Sequence, residues 1–256
     1  MLSLLIDERL AGILSMFLLT LARTAGVVAF TPVPGFRNMP SAARGAVAVL
    51  MTCALFDFGQ PSTGPPVASL LPALLIETSI GICYGLATAL LFEGIQLGAQ
   101  IVGLQAGFSY ASTLDPNSQA DSNVLSVLMF LGTGALFFAA DLHHVVFRAL
   151  AEGLLRHPAG AAAWNAASVE TILQLGADVF RVGLRLAAPV SAIMLTIDIG
   201  LALFGRMQPQ LQVVTLSFSI KILIALIVFS SVIQSLGRLL HAVSEPWSLA
   251  LRSIIR

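Results

Sequence analysis

The sequence predicts an all-α, polytopic membrane protein built from helical hairpins. Three observations carry that reading. Of 256 residues, 57% are hydrophobic and only 10% are charged, against roughly 45–50% and 25% in a soluble domain. The mean hydropathy is +0.92. The apolar residues also fall into runs of about twenty, the length that crosses a bilayer as a helix. Thirteen basic and thirteen acidic residues leave no net charge, so no bulk field attracts nucleic acid or an anionic surface.

The elements follow in order. The opening "MLSLLIDERLAGILSMFLL" carries Asp7 and Glu8 where a cleaved signal has positive charge, and it reads as a retained first helix. Residues 10 to 31 form the first apolar run, interrupted by Arg23 and ended by "TPVPGF". A short one from Ala42 to Phe56 stops at the proline- and glycine-rich "DFGQPSTGPP", which cannot continue a helix. Val67 to Phe92 is long enough to cross with tilt and contains Glu77. Residues 94 to 108, "GIQLGAQIVGLQAGF", keep a helical period, and their small-xxx-small spacings through Gly94, Gly98, Gly103 and Gly107 suit close helix packing.

Residues 109 to 123, "SYASTLDPNSQADSN", form a polar loop without one positive charge, between two apolar elements. A loop of this length in a compact protein is often functional. Its alternating Asp115, Asn117, Gln119 and Asp121 do not make a calcium loop, because Ala120 stands at the turn glycine and Ser126 at the bidentate glutamate. Val124 to Ala140 is the next apolar run. The polar, amphipathic connection that follows, as far as Asp178, is expected to be the largest piece outside the membrane. Val179 to Phe204 and Leu211 to Gln234 come next, with a polar C-terminus from Gly237. Arginines are spread evenly over the loops and do not orient the chain.

Four ionisable residues, Arg23, Glu77, Asp198 and Lys221, interrupt these runs. At bilayer depth each costs about 2.5–3.5 kcal/mol or more and is usually paired or faces water. Lys221 is the sole lysine. If residues 205 to 213 form the bend of a hairpin, Asp198 and Lys221 lie equally far from its midpoint on opposite arms, at one depth. That geometry predicts a neutralising pair, whether it serves helix packing, a subunit contact or an ion relay. "DLHHVVFRAL" places Asp141, His143 and His144 at a helix end; adjacent positions on a helix point about 100° apart, so a hydrogen-bonded interfacial cluster is expected and not a chelate. Cys53 and Cys83 lie in apolar runs with no ligand spacing. No nucleophile elbow, phosphate loop or nucleotide motif occurs, which leaves catalysis, cofactors and metals without candidate residues.

Five stretches together resemble a known family. These are "RTAGVVAFTPVPGFRNMPSAARGAVAVLM" (23–51), "ETSIGICYGLATALLFEGIQLGAQIVGLQAGFSYASTLDP" (77–116), "DLHH" (141–144), "AAPVSAIMLTIDIGLALFGRMQPQLQVV" (187–214) and Lys221. In order and over almost the whole chain they are similar to the FliR family of type III secretion, whose injectisome relative is SctT. His143, His144 and the compact length favour the flagellar branch.

The resemblance implies one export-apparatus domain over 1–256, with FliP-like helices over about 10–178 and a FliQ-like hairpin over about 179–236. It implies a non-enzymatic subunit, one copy in a pore-like gate with FliP and FliQ homologues, in the bacterial inner membrane at the flagellar basal body. Unfolded export substrates would pass through it. The loop 108–123, with Phe108, Ser109, Tyr110, Asp115, Pro116, Asn117 and Asp121, maps onto the family's pore plug. The turn holding Arg206, Gln208, Pro209 and Gln210 maps onto the cytoplasmic entrance, near an FlhB-type switch subunit. Arg23, Glu77, Asp198 and Lys221 then become subunit contacts. An injectisome subunit, a small ion-coupled transporter using Asp198, Lys221 and Glu77, and a membrane enzyme built on Asp141, His143 and His144 are the alternatives.

Overall fold

The computed structural model describes residues 2–32, 34, 39–56, 69–108, 124–161, 166–207 and 213–254. Among these the chain is helical throughout, in seven helices: α1 (Leu2–Phe30), α2 (Ser41–Leu55), α3 (Leu70–Ala106), α4 (Val124–Ala139), α5 (Leu142–Arg156), α6 (Ala166–Met207) and α7 (Val213–Ser253). Four stretches are long and apolar enough to cross a membrane: Leu10–Phe30, Leu70–Ala106, Ser168–Met207 and Ser219–Ser253. Helices α4 and α5 together make a broken fifth, bent by 64°.

Three expectations change. The run 67–92 and the glycine-rich run 94–108 are one helix, α3, because nothing between Phe92 and Gly94 breaks it. The connection expected outside the membrane is largely helical. Its apolar residues Leu142, Val146, Ala149, Leu150 and Leu154 recur at helical spacing and are buried, as an amphipathic helix against a core requires. The polar C-terminus is the end of α7, where Leu240, Trp247, Leu251 and Ile254 are buried. A hydropathy window that averages over both faces misses such a helix.

The chain divides into two compact units that interleave along the sequence. One unit comprises Met1–Leu91, Phe138–Gly176 and Ser244–Arg256. Here α1 and α3 meet backbone to backbone. A Cβ on Gly26 would lie 2.7 Å from Ile82 N and Thr78 O, one on Gly85 would lie 2.8 Å from Phe30 Cβ, and one on Gly81 would collide with the Arg23 carbonyl. Residues 23, 26 and 30 thus meet 81, 78–82 and 85 in rising order, so the two helices run in the same direction. Helix α2 supplies the return: Thr24 Oγ1 and Thr52 Oγ1 are 2.7 Å apart and the Phe17 and Phe56 rings 5.8 Å apart, an antiparallel order. Its 15 residues span about 22 Å, short of a hydrocarbon core of about 30 Å.

The C-terminal segment closes the same unit. Trp247, 2% exposed, donates its indole N–H to the Ala87 carbonyl at 3.0 Å, Tyr84 Oη reaches the Ala149 carbonyl at 3.4 Å, and Ser168 Oγ donates to Ile254 O at 2.6 Å. Buried aromatics with a polar tip need such partners.

The second unit comprises Phe92–Phe137 and Ala177–Val243. Phe92 stacks against Phe130 and Phe137 with centroids 5.9 and 5.5 Å away. The last turns of α3 pack on α6 through small residues: a Cβ on Gly98 would lie 2.9 Å from Gly183 O, and one on Gly183 would lie 3.1 Å from Gly94 O. Large side chains on the other faces of α6 and α7 stay open, among them Phe180, Leu195, Leu203, Leu223 and Ile227, each more than half exposed.

The glycine contacts generate a paired test. Gly81→Ala forces its methyl onto the α1 backbone and is expected to destabilise by about 1–3 kcal/mol. Gly45→Ala, in α2, meets nothing within 4 Å and is expected to be neutral or stabilising by up to about 1 kcal/mol. Thermal unfolding of the detergent-solubilised protein, followed by helix circular dichroism, compares the two.

Candidate functional site

In the first unit the interrupting charges Arg23 and Glu77 find each other. Both are fully buried, with Arg23 Nε donating to Glu77 Oε2 at 2.5 Å. The α1–α3 backbone contact sets them up, since Arg23 lies three residues before Gly26 and Glu77 four residues before Gly81. A buried ion pair needs its remaining polar atoms satisfied, and the connection after α5 supplies partners for all but Arg23 Nη1, which has none among the described residues. Gly160 N–H donates to Glu77 Oε1 at 2.8 Å, and His157 O accepts from Arg23 Nη2 at 3.4 Å. The segment reaches both because "PAGA", residues 158 to 161, makes a tight turn, closed by Ala161 N–H to Pro158 O at 2.9 Å, with Gly160 at φ 87°. A turn with positive φ at its third residue needs glycine there. Sequence reasoning singled out both charges but missed their pairing and the 157–160 strap. The signal was present in "RTAG" and "ETSIG", where each charge is followed within one turn by a small residue.

In the second unit Lys221 Nζ on α7 pairs with Asp198 Oδ1 on α6, the pairing the sequence predicts. This pair is less enclosed: the lysine side chain is 19% exposed and the aspartate 48%. The two charges neutralise each other within the chain. Asp178 and Arg181, one turn apart nearer the start of α6, form an exposed pair of their own. A proton or ion relay needs titratable groups in series, whereas each of the four interrupting charges here has its counter-ion beside it.

The glycine-rich end of α3 leads to the polar loop. Gly94 and Gly98 make the contacts with α6, and Gly103 is buried. Gly107 does something different: it stands one residue past the helix at φ 87°. Phe108 N–H donates to Gly103 O at 3.0 Å and Gly107 N–H to Leu104 O at 3.2 Å, the six-to-one and five-to-two bonds of a Schellman ending. The chain therefore leaves α3 at Phe108 by a fixed turn. Ser109, Tyr110, Asp115, Pro116, Asn117 and Asp121 lie outside the described residues, as do Gln208, Pro209 and Gln210. Arg206 is exposed at the end of α6.

Asp141, His143 and His144 sit at the break between α4 and α5. Asp141 is the only non-glycine residue at positive φ among those described, at 55°. His144 Nδ1 lies 3.3 Å from Asp141 Oδ1, and the two imidazole rings are 4.1 Å apart at 35°. The adjacent histidines leave the backbone of α5 in different directions, and side-chain rotation brings their rings together.

The second pair generates a charge-exchange test. Asp198→Lys or Lys221→Asp alone sets two like charges together, which is destabilising, and is expected to lower the folded protein in membranes several-fold. The exchange Asp198→Lys with Lys221→Asp is expected to restore most of it, as read by immunoblot of washed membranes.

Comparison with known proteins follows this geometry. A family profile described as bacterial export proteins, family 1, matches residues 14–245. Flagellar biosynthetic protein FliR of Escherichia coli (strain K12) is 25% identical over 246 residues, covering 95% of this chain and 94% of that relative. The protein of that name from Bacillus subtilis (strain 168) is 25% identical over 217 residues, 82% and 83% of the two chains. Surface presentation of antigens protein SpaR of Salmonella typhimurium is 24% identical over 225 residues, 83% and 82%. A match over nearly the whole length, on a chain whose helices are long enough to cross a membrane, places this protein in the family of bacterial export proteins, family 1.

Proposed function

We propose that this chain is a core, non-enzymatic subunit of the flagellar type III protein export gate, in the bacterial inner membrane at the flagellar basal body. The observation that carries the reading is the full-length correspondence to relatives named flagellar biosynthetic protein. Helices α6 and α7 favour it physically. At 42 and 41 residues each is about 60 Å long, twice a hydrocarbon core of about 30 Å, and each carries a long open apolar face. Such surface is suited to burial against other apolar subunits.

In this reading one copy joins FliP and FliQ homologues in a pore through which unfolded flagellar substrates pass. The part over about 10–178 takes a FliP-like role and that over about 179–236 a FliQ-like role. Loop 108–123 plugs the pore, and the Schellman ending at Gly107 fixes where the plug begins. The turn with Arg206, Gln208, Pro209 and Gln210 faces the cytoplasmic entrance and an FlhB-type switch subunit. Paired charges in place of a relay favour this assignment over an ion-coupled transporter. The match to SpaR supports a second reading, the equivalent subunit of an injectisome.

Native mass spectrometry of the tagged protein, coexpressed with its neighbouring genes and extracted in mild detergent, tests the assignment. One copy in a larger assembly with two other hydrophobic subunits is expected; a monomer or homo-oligomer despite expression of those partners overturns it. Deletion of the gene is expected to abolish flagella, whereas intact motility with lost effector secretion would select the injectisome. Removing Ser109 to Asn123 is expected to leave the assembly formed but raise its permeability to small ions in reconstituted vesicles. Unchanged permeability would contradict the plug role.

A further inference from the structure

We propose that Asp141, His143 and His144 form a binding site for a borderline divalent transition metal of the Zn2+ class, at the elbow between α4 and α5. Each residue offers one ligand atom, and the three atoms lie within 4.8 Å of one another. Two imidazole nitrogens and one carboxylate oxygen are the donor set that suits zinc and its neighbours, and three protein ligands with an open position are the pattern of accessible zinc sites. Magnesium and calcium prefer sets made of oxygen alone.

Two further observations point to a ligand. His143 Nδ1 is buried and has no hydrogen-bond partner among the described residues. A ring nitrogen withdrawn from water is satisfied by a hydrogen bond or by a cation. The His143 ring also packs on the Phe138 ring, with centroids 5.2 Å apart, which fixes its position before any ion arrives. The Asp141 and His144 side chains, by contrast, are 73% and 61% exposed, so a hydrated ion has a way in. Asp141 stands in left-handed backbone just before α5, with its carboxylate oxygen 3.3 Å from His144 Nδ1. Donors on one ion at about 2.0–2.2 Å lie closer together than the 4.8 Å spread of these three, so binding draws the exposed Asp141 and His144 side chains in toward the His143 ring.

The test uses the full chain in detergent, stripped with chelator and titrated with Zn2+ by competition against a chromophoric chelator, with Co2+ substitution giving a visible ligand-field spectrum. One ion per chain is expected. His143→Gln and His144→Gln are each expected to weaken binding by about tenfold or more, the scale on which even outer partners of a metal matter. Asp141→Asn removes the carboxylate while keeping a residue that tolerates left-handed backbone, so its expected loss of affinity cannot come from a collapsed turn. Circular dichroism checks that all variants keep their helix content. His241→Ala, at a histidine far along the sequence in α7, is expected to bind as the parent does. No stoichiometric binding by the parent overturns the site, as does binding that survives the combined exchange of His143 and His144 for glutamine.

Discussion

Placing a guanidinium and a carboxylate in the interior of a helical unit constrains everything packed around them. Arg23 and Glu77 can meet at 2.5 Å only if α1 and α3 touch along their backbones, and that contact exists because Gly26, Gly81 and Gly85 carry no side chains. Their second requirement, partners for the remaining polar atoms, pulls in the turn at His157 to Gly160. A cluster of apolar side chains could fill the same volume, and such replacements are often neutral or stabilising in other proteins. What the ion pair adds is selectivity: it accepts one register of α1 on α3 and one position of the strap, and penalises others with an unpaired buried charge.

Both units leave large apolar side chains open, Leu14, Leu71, Leu75 and Leu173 in the first and Phe180, Leu195 and Leu223 in the second. In the first, the C-terminal turns of α7 also bury Trp247 and its indole N–H against α3. In the second, long faces of α6 and α7 remain open, and Lys221 and Asp198 neutralise each other there. A pair that is partly exposed within one chain becomes more strongly coupled when a partner or lipid covers it, because the effective dielectric falls. A subunit whose charges are matched in advance can be buried in an assembly without bringing an uncompensated ion.

Much of this was legible in the sequence, for physical reasons that also mark where legibility stops. Composition and run length sufficed for a helical membrane protein, since backbone groups in lipid must be satisfied within the helix. Symmetry about a bend sufficed for Asp198 and Lys221, which are near in sequence. Arg23 and Glu77 are separated by 54 residues, and no local periodicity links them. Helix ends and continuities were less legible. Hydropathy alone could not join 67–92 to 94–108 or recognise α5 and the end of α7, where one face is polar and the other buried. Gly107 resembled its neighbours Gly98 and Gly103 in spacing, yet it ends the helix. His143 and His144 were read from backbone angles alone, which do not fix the side-chain rotation that brings their rings together. The partner of the packing glycines, Gly183, makes a small-xxx-small spacing with Ala187, a single pair that stands out less than the four glycines of α3.

The central claim is that the buried charges act as structure, holding helices in register, and not as a path for ions or protons. The most direct measurement replaces Arg23 and Glu77 together by apolar residues of similar size, Arg23→Met with Glu77→Leu, and compares swimming motility and chain level in the membrane with those of each single change. Each single change leaves one charge buried alone, a cost of about 3–5 kcal/mol, and is expected to deplete the protein. The account predicts that the double replacement recovers both chain level and motility. A double variant that accumulates normally but leaves the cell without motility would contradict it, because the ionisable groups themselves would then be required for function.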